Sequence, residues 1–237
     1  MKFTGIFGKG LRPLPRILAL GALALPLGAC DLDRLLAVRD PEQVSPEELE
    51  NAESVPGLYA GALRTFFIAY SGASDDAYLT VSSLLADELY AADTFVTRQA
   101  TDKRDQQPPA LGNTSDVAYA RLQQARVNAR RAAATAEKFN TGAVGAASLP
   151  ATLATLRAIE GYAYMTLAEG FCGNIPFSVI PDTGPINPVD TTQFRPGIGT
   201  LAAFDTAIVR MTSALAAQST SNLAKVGLGR AQLNRGN

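Results

Sequence analysis

One acidic pair, one set of arginines and two cysteines are the residues here whose types and spacing could do chemistry. Asp87 and Glu88 follow the apolar run Leu84-Leu85-Ala86 and could form a metal-binding or catalytic carboxylate pair. Adjacent residues on a helix do not face one another, so one site would not easily use both, and a hydrogen-bonding pair at a helix end is the simpler reading. Arg121, Arg126, Arg130 and Arg131 make either a basic site or, as their helical spacing favours, the solvated face of a helix. Cys30 and Cys172 sit in unlike contexts, so no disulfide between them is expected. Histidine is absent, which removes the usual general base, the commonest zinc ligand and the Ser-His-Asp triad. Tryptophan is absent too, leaving any ring stacking to 7 Tyr and 10 Phe. There is no P-loop, G-x-G-x-x-G or C-x-x-C, and Gly227-Leu228-Gly229 is helical in context. The missing histidine leaves room for a two-carboxylate glycosidase, but no convincing pair appears, so no catalytic residue, metal ligand or cofactor is assigned and the chain is read as a non-enzyme.

The elements that must carry these residues begin with a processing segment. Lys2, Lys9, Arg12 and Arg16 form a positive region, and Ile17–Ala29 an apolar one too short for an ordinary membrane span. Leu27-Gly28-Ala29-Cys30 resembles the lipobox of bacterial lipoproteins, in which the cysteine thiol is joined to a diacylglycerol and the new amino terminus is acylated, often with palmitate. The expectation is that residues 1–29 are a signal peptide, that Cys30 is the lipid-attachment site, and that 30–55 are the lipidated cysteine and an extended tether. Cleavage takes the net charge from −1 to −5, because the segment holds four basic and no acidic residues. The near balance of 21 basic and 22 acidic residues gives no footprint for nucleic acid.

A composition 47% hydrophobic and 18% charged suits a folded domain. A short helix is expected within Pro46–Ala52, capped by Ser45. Val55–Ile68 follows, burying Leu58, Tyr59, Ala62, Leu63, Phe66 and Phe67, and then Tyr78–Tyr90. Phe95–Asn113 lacks any period and reads as a long loop, one of two candidate binding surfaces. Asp116–Phe139 is the longest predicted helix, with Ser115 or Asp116 as cap. Leu201–Leu215 carries Leu201, Phe204, Ile208, Met211 and Leu215 on one face, and Asn222–Asn237 closes the chain. Val179–Gly199, rich in Pro, Gly, Asp and Thr, is the second long loop.

The stretch Leu153–Phe177 organises the rest. Leu153, Leu156, Ile159, Ala163, Leu167 and Phe171 recur at helical spacing and predict one buried face, with Arg157, Glu160 and Glu169 off it. Pro150 precedes this helix, and Gly170 and Gly173 mark its end. Gly173-Asn174-Ile175-Pro176-Phe177 then predicts a turn into an extended apolar segment.

Arg157, Ala158, Tyr162 or Tyr164, Leu167 and Phe171, followed by Gly173, Ile175, Pro176 and Phe177, resemble the central signature of the SusD/RagB family. Val38–Leu49 is similar to that family's entry segment. Tyr119, Leu122, Ala125 and Asn128 are similar to its tyrosine helix, except that Arg126 stands at the asparagine position. Leu228-Gly229, Ala231 and Gly236 follow the first helix of a tetratricopeptide repeat. The resemblance implies an all-α, tetratricopeptide-like helical repeat scaffold with long irregular loops, its SusD-like body filling residues 56–237. It implies a surface-facing lipoprotein of the outer membrane that binds glycans or peptides for import through a SusC-like TonB-dependent transporter. No ligand-binding residue can be carried over from the family. The rival reading is a tetratricopeptide-type lipoprotein adaptor for outer-membrane assembly, without a small ligand. Family members are about twice this length, so the chain is expected to be truncated and its last helix, lacking a partner and a cap, to fray.

Overall fold

The structure is a computed structural model that describes residues 48–72, 77–105, 114–178, 181 and 195–236. All of them belong to one compact unit, Ser45–Asn237. The signal peptide, Cys30, the entry segment up to Glu47 and nearly all of the Val179–Gly199 loop before Arg195 lie outside the described residues.

The fold is all-α. Seven α-helices are described: α1 (Val55–Tyr70), α2 (Tyr78–Leu85), α3 (Val96–Lys103), α4 (Thr114–Lys138), α5 (Leu149–Gly170), α6 (Thr200–Ala217) and α7 (Asn222–Arg235). Among the described residues there is no strand, only isolated bridges, and no helix is long and apolar enough to cross a membrane. Consecutive helices pack on one another. The most extensive contacts are α5 with α6, α4 with α5, and α1 with α4.

The central helix departs from its expected single face. Fourteen of its residues between Thr152 and Ala168 are buried, Glu160 and Thr166 included, so it has almost no solvent side. The expected stripe is there, but Ala154, Ala158, Gly161 and Ala168 open further faces on which α4, α6 and α7 lie close. Pro150 sits inside the first turn instead of ahead of the helix, where its missing N–H has no intrahelical partner to lose.

Several boundaries and faces differ from expectation. Glu48–Asn51 is not helical, and a 3-10 turn occupies Ala52–Ser54 instead. In α1 Phe67 is 59% exposed, and the fully buried positions are Val55, Ala62 and Ala69. The second helix stops at Leu85, since Asp87 takes a left-handed conformation (φ 60) that a short polar side chain tolerates. Phe95–Asn113 contains α3. This short helix buries only Ala100 and Thr101, too few residues to leave an apolar period, and Asp93 receives the Phe95 N–H at 3.0 Å at its start. Residues 106–113 lie outside the described set. Ser115 and Asp116 fall inside the first turn of α4. In α6, Leu201 is 54% exposed, and Ala203, Phe204, Ala207, Met211 and Ala214 face inward.

The last helix was expected to lack a partner, and this is overturned. The short turn Gln218–Ser221 folds α7 back onto α6 and α5, burying Ala224, Gly227 and Ala231. Ser221 caps its start through the Ala224 N–H, and Gly236, left-handed at φ 90, closes its end. Leu223, Val226 and Leu233 remain exposed on its other side.

Beyond α5 the chain extends as foreseen. Ile175 and Phe177 are buried and Pro176 is exposed, the alternation of an extended segment. Ile175 and Ile198 exchange two backbone hydrogen bonds of 2.9 Å, tying the exit of α5 to the entry of α6. Gly197 makes this approach possible, because a Cβ there would lie 2.5 Å from the Asn174 carbonyl. Gly197→Ala should therefore lower stability by about 1–3 kcal/mol, the usual range for overpacking, measured as the urea midpoint at unchanged slope. Phe177 packs on Tyr164 with ring centroids 4.6 Å apart. Phe177→Ala should cost about 3–5 kcal/mol. A loss inside the surface range of about 0.5 kcal/mol would show that the segment does not hold the core.

Candidate functional site

Two polar constellations frame the C-terminal end of α5. The first is on α4. Tyr119, Gln123 and Arg126 follow at helical spacing and all face the extended exit segment. The Gln123 amide donates to the Pro176 carbonyl at 2.9 Å, and the Tyr119 hydroxyl reaches the same oxygen at 3.3 Å. Arg126 donates to the Ser178 carbonyl and the Tyr164 hydroxyl, both at 3.3 Å, and through Nε to the Gln123 amide oxygen at 2.9 Å. Its guanidinium lies 5.4 Å from the ring centroids of both Tyr164 and Phe177. Arg126 is 3% exposed, so it is not part of a solvated face. Arg121, Arg130 and Arg131 are half-buried, and each has partners within the protein. The arginine set is therefore no single basic site. Among the described residues no carboxylate pairs with Arg126; carbonyls, a hydroxyl and two aromatic faces carry its charge.

The second constellation joins helices far apart in sequence. Glu169, near the end of α5, accepts from Arg230 of α7 through both oxygens, at 2.9 and 2.6 Å. Asn234 also donates to it. Burial opposes the charge on Arg230, but hydrogen bonds to Glu169 and Tyr70 outweigh it and raise its pKa above the ordinary value. Around the pair runs a chain of rings. Phe66 stacks on Tyr70 at 5.8 Å, Tyr70 on Tyr78 at 5.9 Å, and Tyr162 tilts against Phe66 at 6.2 Å. Tyr78 lies over the last residue of α5, where a Cβ on Gly170 would meet its ring at 2.5 Å.

In front of this cluster is a cavity of about 510 Å³, within the range of small-molecule sites. Tyr78, Val81 and Leu85 of α2 form one wall, and Glu169, Phe171 and Cys172 the other. Phe171 is held edge-on against Tyr119, with centroids 5.1 Å apart, which links the cavity wall to the α4 constellation. Cys172 is a free, exposed thiol.

The other residues singled out in the sequence do not converge here. Asp87 pairs with Arg104 at 2.7 Å, and Glu88 accepts from Ser83 at 3.4 Å, so the acidic pair divides between two partners. Among the described residues no three of His, Cys, Asp and Glu come together to hold a metal. Cys30 lies outside the described residues. Sequence reasoning missed Tyr70, Tyr78, Glu169 and Arg230 as a group. Glu169 and Arg230 are 61 residues apart, and only the return of α7 brings them together. Protein-family models, curated proteins and solved structures all return no match to this chain.

Burial, then the nearby Glu169 carboxylate, raises the Tyr78 pKa above that of free tyrosine, against the opposing pull of Arg230. Burial likewise raises that of Tyr162. The folded state thus holds the Tyr78 proton more tightly than the unfolded chain does. This stabilisation is fully present below pH about 10 and is lost as pH rises through the folded-state value. Absorbance titration of phenolate should show a late-ionising component that shrinks in Tyr78→Phe and again in Tyr162→Phe. If both variants instead lose amplitude from the ordinary component near pH 10 and keep the late one, these rings lie in water.

Proposed function

We propose that this chain is a SusD/RagB-like lipoprotein, anchored to the outer membrane through Cys30 and facing the cell surface, that captures glycans or peptides for a TonB-dependent transporter without changing them chemically. The helical body is then a tetratricopeptide-like scaffold for capture. The observation that carries the reading is the pairing of two motif segments. Gly173, Ile175, Pro176 and Phe177 form the extended exit from the central helix, and Tyr119, Gln123 and Arg126 of the tyrosine helix grip it. Arg126, at the position where the family pattern has asparagine, still serves as a hydrogen-bond donor to that segment. The ordered positive region, apolar run and Leu27-Gly28-Ala29-Cys30 support the anchor. Stable anchoring requires more than one acyl chain, which lipidation of both the thiol and the amino terminus supplies.

Metabolic labelling with a fatty acid should tag the wild-type chain and spare Cys30→Ala. An affinity-tagged chain drawn from detergent-solubilised outer membranes should bring a TonB-dependent transporter with it, and Cys30→Ala should bring much less. Equal labelling of both forms would remove the anchor, and recovery without any such transporter would remove the transport reading.

A further inference from the structure

We infer that the cavity at the C-terminal end of α5 is a binding site for a compact apolar group, an aromatic or branched aliphatic side chain of a peptide, and not for a sugar ring. The inference deepens the capture role and rests on it. The cavity opens between α2 and the α5 exit, and its volume of about 510 Å³ accommodates a side chain of that size with its flanking backbone. Val81, Leu85, Ala86 and Phe171 supply its apolar surface, and Leu85 leaves 45% of its own surface exposed there. Exposed leucine at the mouth of a cavity gains from covering by an apolar ligand, since that removes its surface from water.

The polar groups of the site decide against a sugar. A sugar ring presents hydroxyls around its rim, and each one buried needs a partner to offset its lost hydration. Here most of the lining polar side chains other than Tyr78 are already engaged. Both Glu169 oxygens accept from Arg230, and one of them also from Asn234. The Ser82 hydroxyl donates to the Leu79 carbonyl at 3.2 Å. Ser115 has a partner within the protein. Arg230 also balances the charge of Glu169, so an apolar ligand does not strand an unpaired carboxylate. Tyr70 takes one face of the Tyr78 ring, stacked at 5.9 Å, which narrows the platform left for a sugar.

Cys172, at the wall, is a built-in reporter. In the full chain carrying Cys30→Ser it is the one remaining thiol, because the sequence holds 2 cysteines. Its rate of reaction with a thiol reagent is measured alone, with N-acetyl-L-phenylalaninamide and with maltotriose. By mass action, the phenylalanine amide at about twice its Kd should slow the reaction roughly threefold, and maltotriose should leave it unchanged. Ala86→Trp adds bulk at an exposed wall position and should abolish the slowing without altering the far-UV circular dichroism. Slowing by maltotriose, slowing by neither compound, or slowing that persists in folded Ala86→Trp would each overturn the inference. If that variant does not fold, the comparison of the two compounds on the parent chain still decides. Slowing by the amide with no transporter recovered from membranes would keep this site and remove the transport reading; a recovered transporter with no slowing would do the reverse.

Discussion

The burial of α5 on nearly every side is the constraint from which the rest of the body follows. A helix can be surrounded this closely only if its neighbours' backbones approach, and both sides of each contact supply small residues. Ala154, Ala158 and Ala163 lie on α5; Ala125, Ala129 and Ala132 face it from α4, and Ala203, Ala207 and Ala214 line the core from α6. Such interfaces are held by many weak dispersion contacts and not by a few large side chains. The same enclosure dictates the fate of the charged groups on α5. Arg157 reaches Glu137 of α4 and the Ser213 carbonyl of α6. Glu160, buried, meets Arg210 of α6 at 3.1 Å, and Glu169 meets Arg230 of α7. Each would be costly without its partner, since a charge removed from water needs a compensating one.

Enclosure also makes the exit from α5 a structural problem. The chain leaves a crowded core as an extended segment whose carbonyls have few backbone partners beyond the Ile175–Ile198 bridge. The side chains of α4 provide them. Tyr119 and Gln123 take the Pro176 carbonyl and Arg126 the Ser178 carbonyl. A buried arginine is suited to this, because its several donors lie in one plane and its flat cation rests against aromatic faces. The polar stripe on α4 is thus part of the core's hydrogen bonding, although its composition reads as surface.

Where α5 ends, these demands leave a gap. Tyr78 covers Gly170, Phe171 turns aside onto Tyr119, and Glu169 points to α7. The space between them is lined by Val81, Leu85, Ala86 and Phe171 beside a Glu169 already paired with Arg230, so it offers apolar surface and shape.

The sequence by itself determined the helices with a strong period, the extended Gly173–Phe177 exit and the burial of Phe177, because each follows from local spacing and from backbone restrictions carried by single residues. It misplaced Phe67 and Leu201, which sit on the expected stripes yet face solvent. It overlooked α3, whose contacts are too few to leave a pattern. It read Arg126 as solvated, since composition cannot reveal that a distant segment lies across a polar face. Only the tertiary structure decided that α7 returns onto α6 and α5, that Arg230 meets Glu169, and that five helices pack around α5. Those outcomes depend on which faces approach across tens of residues, and a stripe of alanine specifies closeness without naming its partner.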